Sequence, residues 1–431
     1  MKTSATPVPE NERLVSIDVL RGLALLGILL MNIPFFALQD YYSEDWKADP
    51  GTFNFWLRAF ITVLFEGKMR ALFSVIFGVG ILLFTSRKDK ATGLFYRRMG
   101  WLIVFGLIDS HLLLWLGDIL FLYGVCGMIV FLFRKAKPLY LSLGVPLVAI
   151  IGFVVTTIFM GGIREKRLAY NEAVKARDEG QALTADQGKA LEEWREVEKE
   201  LIPNKEDAKE NTRLMKGSYA EVASYVRPRS LDFQTKYLLY SLWDPIALML
   251  LGIALYKWGY FTTWTNRQHS RAAFLGYAIG LPLVVFSFWY NTVNFPNHEA
   301  SLKYMETHSI NWVAMIYDFQ RIFLTIAHVS LILLIIRSGR LQRFFRSMAA
   351  VGRMAFTNYI GQTVICTLIF FGYGLNYYAE LDYSQVFLVV LAIWIFQSIF
   401  SSVWLKYYYF GPLEWLWRWL TYLKKPPFRR S

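Results

Sequence analysis

The sequence contains few of the residues that build disulfide frameworks, metal centres or nucleotide-binding folds. Of its 431 residues, only two are cysteines and five are histidines. Cys126 and Cys366 both fall inside long apolar stretches, which is typical of neither a disulfide framework nor a zinc site. The chain also lacks a glycine-rich phosphate loop and a nucleophile elbow. These absences argue against an ordinary nucleotide-binding domain, and we expect no metal site.

The composition that remains is that of an integral membrane protein. Hydrophobic residues make up 55% of the chain and aromatic residues 17%, and the mean hydropathy is positive. A soluble globular domain of this length does not carry that balance. We therefore predict an all-α fold, a polytopic bundle of transmembrane helices.

Apolar stretches long enough to cross about 30 Å of hydrocarbon predict about ten membrane spans. They lie at residues 15–38, 71–86, 99–116, 118–133, 138–160, 236–257, 272–292, 312–336, 350–372 and 385–405. The run 53–65 carries Arg58 and ends at Glu66, Lys68 and Arg70. It is therefore predicted to be a short interfacial or re-entrant helix that brings charge to a site inside the membrane.

The basic residues indicate the orientation of these spans, because they concentrate in the loops that share one side. Those residues are Arg87, Lys88, Lys90, Arg97, Arg98, Arg134, Lys135, Lys137, Lys257, Arg267, Arg271, Arg337, Arg340, Arg343 and Arg346. Cytoplasmic loops carry the excess of lysine and arginine, so both termini are predicted to be cytoplasmic. The net charge of +13 then reflects orientation and contact with anionic lipid, and we expect no nucleic-acid partner.

A long polar stretch divides the chain into three parts. Residues 1–161 and 236–431 are expected to form two membrane halves of about five spans each, the second with an interfacial tail. Residues 162–235 are predicted to be a helical segment outside the cytoplasm. This segment is either a solvated hairpin that shields the fold, or a lid or docking surface over the outer mouth of a cavity.

Three polar residues interrupt the apolar run 17–36 of the first span. At 100° per residue, Arg21 lies about 60° from Asp18 and Asn32 about 20° from Arg21, so all three share one face. An ionised side chain inside a bilayer costs about 2.5–3.5 kcal/mol, so this stripe is expected to face protein and not lipid. The pattern predicts a site within the bundle.

His111, on the outer half of the third span, is a candidate general base. It lies about 21 Å along the helix axis from Arg97. Asn32 lies about 16 Å from Arg21, so both candidates are expected at one depth. Imidazole can take a proton from a hydroxyl or amine, and an amide can orient a carbonyl or stabilise an oxyanion. Alternatively, His111 only bonds to a neighbouring helix; Asp109 points about 200° away and is not expected to pair with it.

The other polar residues within the spans have structural interpretations. Asp118 lies in a short turn and is predicted to cap the N-terminus of the next span. Asp318 and Arg321 are three residues apart on one span and are expected to pair. His328 is expected to bond within the core.

Five arginines near span ends are candidates to bind the phosphates of a donor such as coenzyme A. They are Arg21, Arg70, Arg97, Arg98 and Arg353. Guanidinium groups bind phosphate bidentately, which suits such a ligand. Alternatively, these arginines are orientation signals and lipid contacts. The residues assigned a structural role around the site are Asp18, Glu66, Lys68, Asp118, Asp318 and Arg321.

Several motifs, distributed along nearly the whole chain, together point to one family. They are RLVSIDVLRGLALLGILLMNI, FEGKMRALFSVIFGVG, RRMGWLIVFGLIDSHLLLWLGDILFLYGVCG, GRMAFTNYIGQT and GPLEWLWRWLTY. With these motifs the chain resembles the YeiB-like family of bacterial polytopic membrane proteins. That family is similar in turn to transmembrane acyltransferases of the heparan glucosaminide N-acetyltransferase and OafA types.

The resemblance implies a protein of the bacterial cytoplasmic (inner) membrane that passes an acyl group from cytoplasmic acyl-CoA to an acceptor on the far side. Acyl-CoA is then a substrate, and no permanently bound cofactor is implied. The DxLRG motif corresponds to residues 18–22, and Asn32 matches an asparagine on the first span of the heparan-type enzymes. The heparan-type enzymes carry a histidine shortly after this span, but residues 34–52 contain none. The OafA-type enzymes carry a histidine near the position of Asn32, and this histidine is also absent. His111 is therefore expected to substitute from another helix.

Two further functions remain open besides acyl transfer to a polar, glycan or lipid acceptor. A transporter or lipid flippase would use the same polar cavity without forming a bond, and Asp244 with Pro245 and Pro282 are candidate helix breaks for it. A scaffold would use its polar residues only to join helices. Membrane lipids are partners in each case, and homo-oligomerisation is left open.

Overall fold

Helices account for the architecture of the chain in a computed structural model, which describes residues 14–39, 49–85, 91–201 and 205–430. Within these ranges the only other regular structure is an isolated β-bridge between Tyr408 and Arg429. The first ten helices are α1 (Val15–Ala37), α2 (Phe53–Leu64), α3 (Lys68–Thr85), α4 (Ala91–His111), α5 (Leu120–Phe133), α6 (Pro138–Ser142), α7 (Gly144–Asp178), α8 (Ala185–Leu201), α9 (Lys205–Met215) and α10 (Tyr219–Gln234). The remaining ones are α11 (Leu238–Lys257), α12 (Asn266–Asn294), α13 (His298–Thr307), a 3₁₀ turn (Trp312–Met315), α14 (Ile316–Arg337), α15 (Gln342–Arg353), α16 (Ala355–Phe370), α17 (Tyr383–Tyr407) and α18 (Pro412–Tyr422).

Within the described ranges, seven helical segments are long and apolar enough to cross a membrane. They are Val15–Ala37, Phe53–Thr85, Pro138–Asp178, Leu238–Lys257, Asn266–Asn294, Trp312–Arg337 and Tyr383–Tyr407. Two further helices, α5 and α16, are apolar but shorter. The prediction of an all-α fold is confirmed for the described residues, and these apolar helices indicate a membrane protein.

The central helix of the bundle is α1. Fifteen of its 23 residues are buried, because α3, α15, α16 and α17 all pack against it. Its sequence is apolar on nearly every side, as expected of a helix surrounded by other helices. Asp18, Arg21 and Asn32 are partly buried. The predicted polar stripe thus lies on a helix that is surrounded by α3, α15, α16 and α17.

Two neighbouring helices, α3 and α11, cross at backbone contact, which depends on glycine. A Cβ atom at Gly78 would lie 2.0 Å from the carbonyl oxygen of Met249. A Cβ atom at Gly252 would lie 2.0 Å from that of Val75. Because the opposing atoms are backbone, they cannot rotate away as a side chain does. Glycine at both positions therefore sets how closely α3 and α11 approach.

Two predicted boundaries differ from the structure. The predicted span 350–372 is divided between α15 and α16, because the helix is interrupted at Met354. The predicted domain boundary after residue 161 lies inside α7, which continues unbroken from Gly144 to Asp178. The polar sequence beyond residue 161 also favours a helix, so α7 continues past the point at which the hydropathy falls.

The part of α7 beyond the apolar stretch is attached to α13. Arg167 Nε lies 2.7 Å from Glu306 Oε1, and Asn171 Nδ2 donates to the same oxygen at 2.9 Å. The hydrogen bond from Asn171 has the larger effect and that from Arg167 the smaller one, and both lower the pKa of Glu306. Its carboxylate therefore stays ionised at neutral pH and holds the two helices together.

The helices α8, α9 and α10 form most of the predicted polar segment, and the last two lie over one end of the bundle. The hydroxyl of Tyr219 donates to the carbonyl of Leu112 at 2.8 Å. The carbonyl of Met215 accepts from the amide of Gly372 at 2.9 Å. Met215 and Val222 are buried in the main hydrophobic core. The segment therefore covers this end of the bundle, as both interpretations of it require.

We expect Gly78→Ala to destabilise the protein, because the new methyl group meets the backbone of α11. Overpacking of such a fixed contact costs about 1–3 kcal/mol. Gly80→Ala is the matched control on the same helix, since no atom lies within 4 Å of its Cβ position. Melting temperatures of the detergent-purified proteins should fall for Gly78→Ala only, and equal values for both variants would contradict the prediction.

Candidate functional site

One end of the bundle carries four of the five arginines predicted to bind a donor. They are Arg21, Arg97, Arg98 and Arg353. Arg21 pairs with Asp18 at 2.7 Å, and it is close enough to Arg98 for their charges to interact. A Cβ atom at Gly352, next to Arg353, would lie 1.9 Å from the carbonyl oxygen of Asp18. The start of α1, the end of α15 and the start of α4 thus converge here, and we call this region the arginine end.

The C-terminal segment holds part of the arginine end in place. The guanidinium of Arg98 lies 3.7 Å from the centre of the Trp417 ring, and Trp417 Nε1 donates to the carbonyl of Arg98 at 3.0 Å. Arg353 Nη2 donates to the carbonyl of Tyr409 at 3.5 Å. Arg97 Nε is buried and has no hydrogen-bond partner among the described residues. Donor groups at this end are therefore only partly used by the protein.

The structure does not place Arg70 with the other four arginines. It lies in the first turn of α3, about 21 Å along that helix from Phe84, whose ring centre lies 5.4 Å from the guanidinium of Arg98. Its guanidinium lies 3.2 Å from Asp244 Oδ2 on α11. The expectation that Arg70 joins the donor site is corrected in this respect. The physical reason is that α3 begins at a break in the helix, far from the arginine end.

Four charged residues between α3, α11 and α14 form what we call the charge cluster: Arg70, Asp244, Asp318 and Arg321. Nη2 of Arg321 donates to a carboxylate oxygen of both Asp244 and Asp318. Arg321 itself is only 2% exposed. The predicted pairing of Asp318 with Arg321 is confirmed. Asp244 was expected only to mark a helix break, although an acidic residue inside an apolar span requires a countercharge.

The break between α2 and α3 lies beside the charge cluster. Gly67 adopts a left-handed conformation with φ of 72°, which glycine accepts without strain. The last carbonyl groups of α2 are satisfied by side chains, because Lys68 Nζ donates to Thr62 O and His328 Nε2 donates to Leu64 O, both at 2.9 Å. His328 therefore bonds within the core, as predicted. Glu66, on the same turn, is partly buried.

His111 ends α4 and contacts α10 of the polar segment. Its Nε2 lies 2.9 Å from Gln234 Oε1, and Gln234 Nε2 donates to Ser110 Oγ at 2.8 Å. Since an amide oxygen only accepts, Nε2 of His111 is the donor in this hydrogen bond, and Nδ1 carries the lone pair of the neutral ring. Arg227 Nε also donates to the carbonyl of His111 at 2.9 Å. Contact with α10 therefore fixes the orientation of the imidazole.

Asn32 lies on α1, one helical turn before Phe36. The ring of Phe36 stacks on Trp115 with 3.9 Å between ring centres. Trp115 follows α4, so Asn32 approaches the same part of the bundle as His111. No hydrogen bond joins Asn32 to His111 in the described residues. The structure brings the two candidates to neighbouring elements but not into contact.

Asp109 and Asp118 lie together beneath His111. Asp118 accepts from the amides of Leu120 at 3.0 Å and Phe121 at 2.9 Å, which confirms its predicted role as a helix cap. Asp109 is fully buried and close enough to Asp118 for their charges to interact. The chain reverses at Leu114, whose φ is 62°, and so returns Asp118 to the level of α4. Sequence spacing missed this acidic pair because the two residues meet only through that reversal.

Among the described residues, no three histidines, cysteines or acidic residues are arranged to hold a metal ion. The arrangement instead offers arginines for a phosphorylated ligand at one end and an imidazole at the opposite end of the same helix. The hydroxyl of Thr363 donates to a carboxylate oxygen of Asp109 at 3.4 Å.

Similar proteins are found in several bacteria. A family model described as a protein of unknown function, DUF418, matches residues 255–424. YxaH of Bacillus subtilis (strain 168) is 28% identical over 448 residues, which cover 100% of this chain and 99% of YxaH. A 39.9 kDa protein in the amylase 3′ region of Bacillus acidopullulyticus is 25% identical over 430 residues, which cover 98% and 97%. No solved structure matches the chain significantly.

One further relative is similar enough, over nearly the whole chain, to assign the protein to a family. YeiB of Escherichia coli (strain K12) is 30% identical over 423 residues, which cover 95% of this chain and 96% of YeiB. The match therefore extends well beyond the C-terminal part that the family model covers. The protein belongs to the YeiB-like family.

Proposed function

We propose that this protein is an integral membrane acyltransferase that moves an acyl group from cytoplasmic acyl-CoA to a polar, glycan or lipid acceptor outside the cytoplasm. The observation that supports this proposal is the layout of α4. Arg97 and Arg98 lie near its start, and His111 is its last residue. About 20 Å of helix separates Arg98 from His111. One helix thus links a candidate donor end to a candidate base across the bundle.

The proposed topology has ten crossings. It adds α4, α5 and α16 to the seven apolar segments. The 21 residues of α4 rise about 31 Å, which is enough to span hydrocarbon although arginines lower its hydropathy. Alternating crossings place Lys257, Arg337 and Arg343 on one side, which the positive-inside rule makes the cytoplasm. Both termini then lie in the cytoplasm, α8 to α10 lie outside, and the membrane is the bacterial inner membrane.

In the proposed reaction the arginine end holds the phosphates of acyl-CoA. His111 Nδ1 takes the proton from an acceptor hydroxyl or amine. The acceptor oxygen or nitrogen bonds to the acyl carbon, the thioester bond breaks, and the proton passes to the departing thiolate of coenzyme A. Asn32 orients the acyl carbonyl. The bonds formed and broken and the proton transferred in this reaction are all accounted for without a metal ion or a redox partner.

A transporter or lipid flippase is the second candidate, and the break between α2 and α3 favours it. Discontinuous helices inside the membrane commonly form the substrate sites of carriers. Here the break lies against the charge cluster, and Pro245 follows Asp244 within α11. Counterflow of a labelled solute in proteoliposomes without any acyl donor would support this function over acyl transfer.

The proposed orientation predicts which exposed positions react with a membrane-impermeant maleimide. Both native cysteines are buried, so they provide a low background. Glu192→Cys, in α8, should be labelled in intact spheroplasts. Arg343→Cys, in α15, should be labelled only after the membrane is opened. Labelling of both positions from the same side would refute the proposed topology.

His111→Ala should reduce acyl transfer by about 10²–10⁴-fold, because a positioned general base contributes that much. The rate is measured as coenzyme A released from acetyl-CoA by membrane vesicles that contain the protein and its natural acceptors. His308→Ala is the control, because His308 is exposed and stacks on Tyr304. A rate for His111→Ala equal to that of the wild type would remove His111 from the mechanism.

Arg21→Ala should weaken binding of coenzyme A, because it removes one guanidinium from the arginine end. Loss of one charged phosphate contact should lower the affinity about tenfold or more. Calorimetry on detergent-purified protein measures it with acetyl-CoA, a long-chain acyl-CoA and free coenzyme A. Arg343→Ala, an exposed arginine of α15, should leave the affinity unchanged. Absence of binding to wild-type protein would move the assignment toward transport.

A further inference from the structure

The charge cluster contains hydrogen-bond donors that its own carboxylates do not use. Arg321 makes its hydrogen bonds to Asp244 and Asp318 through Nη2 alone. Its Nε and Nη1 atoms are buried and, within the described ranges of the chain, have no hydrogen-bond partner. A guanidinium has five N–H donors, and an unpaired buried donor costs about 1–3 kcal/mol. Groups of this kind normally meet an acceptor.

Arg321 shares the charge cluster with a second guanidinium group and two carboxylates, and two of its neighbours are exposed on one side. The side chain of Arg70 is 47% exposed, and Tyr317, whose ring centre lies 5.1 Å from the Arg321 guanidinium, is 37% exposed. Gly67 packs against Arg321, since a Cβ atom there would lie 3.0 Å from Arg321 Cδ. Because α3 begins one residue later, its partially positive N-terminus adds to the two guanidinium groups.

The neighbouring protein groups offer little to the unpaired donors. Beside the charge cluster, α3, α11, α14 and the turn after α11 line a small cavity whose lining is almost entirely apolar and includes Val75, Leu248 and Ile322. The hydroxyl of Thr325 donates to the carbonyl of Arg321 at 2.7 Å. An acceptor for Nε and Nη1 must therefore approach from the open side, past Arg70.

We propose that the charge cluster binds an oxyanion, a carboxylate or a phosphate, whose oxygens accept from Nε and Nη1 of Arg321. Arg70 flanks the group at the open side and contributes a second positive charge. The same chemistry is found in a free solute and in a lipid headgroup. This site shares no residue with the arginine end or with His111, so it does not depend on the acyl-transfer proposal.

The experiment measures binding of two soluble probes, inorganic phosphate and acetate, to detergent-purified protein at constant ionic strength. A second arm compares melting temperatures in nanodiscs of phosphatidylcholine with and without phosphatidic acid. Arg321→Lys is the test variant, because lysine keeps the charge but lacks both unpaired donors. Arg343→Lys, at an exposed position, is the control.

Saturable binding of a soluble probe by the wild type, at least tenfold weaker in Arg321→Lys and unchanged in Arg343→Lys, would establish a solute site. Stabilisation by phosphatidic acid alone, lost in Arg321→Lys, would establish a headgroup site. If Arg321→Lys does not fold, Arg70→Gln replaces it, since that side chain is half exposed, and the same loss is expected. The proposal is overturned if the wild type responds to none of the probes, or if the folded variant responds as the wild type does.

Discussion

Arg321 carries a charge inside an apolar bundle, and the arrangement of three helices around it follows from that constraint. A buried ion pair that loses one partner costs about 3–5 kcal/mol, so Asp244 must stay within reach of α14. Arg70 on α3 is then placed by Asp244. The glycine contact at Gly78 and Gly252 lets α3 and α11 come close enough for these side chains to meet. The ion pairs require α3 and α11 to lie close together, and glycine at their crossing leaves room for this approach.

The interrupted helix beside this cluster meets a second requirement of the membrane interior. Carbonyl groups released at a break have no water to bind there, and each unpaired group costs several kcal/mol. Lys68 and His328 supply the donors, one from the break itself and one from α14. The break is therefore held by side chains and is a built feature of the fold. Its consequence is that α3 starts beside Arg321.

The features predicted from sequence are those that a single helix or turn determines. Hydropathy indicated the apolar helices, and spacing indicated the pairing of Asp318 with Arg321 and the cap at Asp118, because each contact lies within about one turn. The partnership of Asp244 with Arg321 joins two helices, so it depends on which helices pack together. Arg70 was grouped with the other arginines by its place near a span end. Arg70 is separated from the other arginines by the position in the bundle at which α3 begins. No local sequence pattern indicates that position.

Two polar regions therefore lie on different sets of helices, with α1 between them. The acidic pair, His111 and the start of the arginine end belong to α4 and the turn that follows it, whereas the charge cluster belongs to α3, α11 and α14. Because α1 packs against α3 and carries Arg21 of the arginine end, a shift of α1 would affect both regions, which also meet directly where α3 contacts α4. The ion pair of Asp18 with Arg21 lies at the end of α1 where α15 crosses it. A ligand held by Arg21 would thus act on a helix that also packs against α3 of the charge cluster.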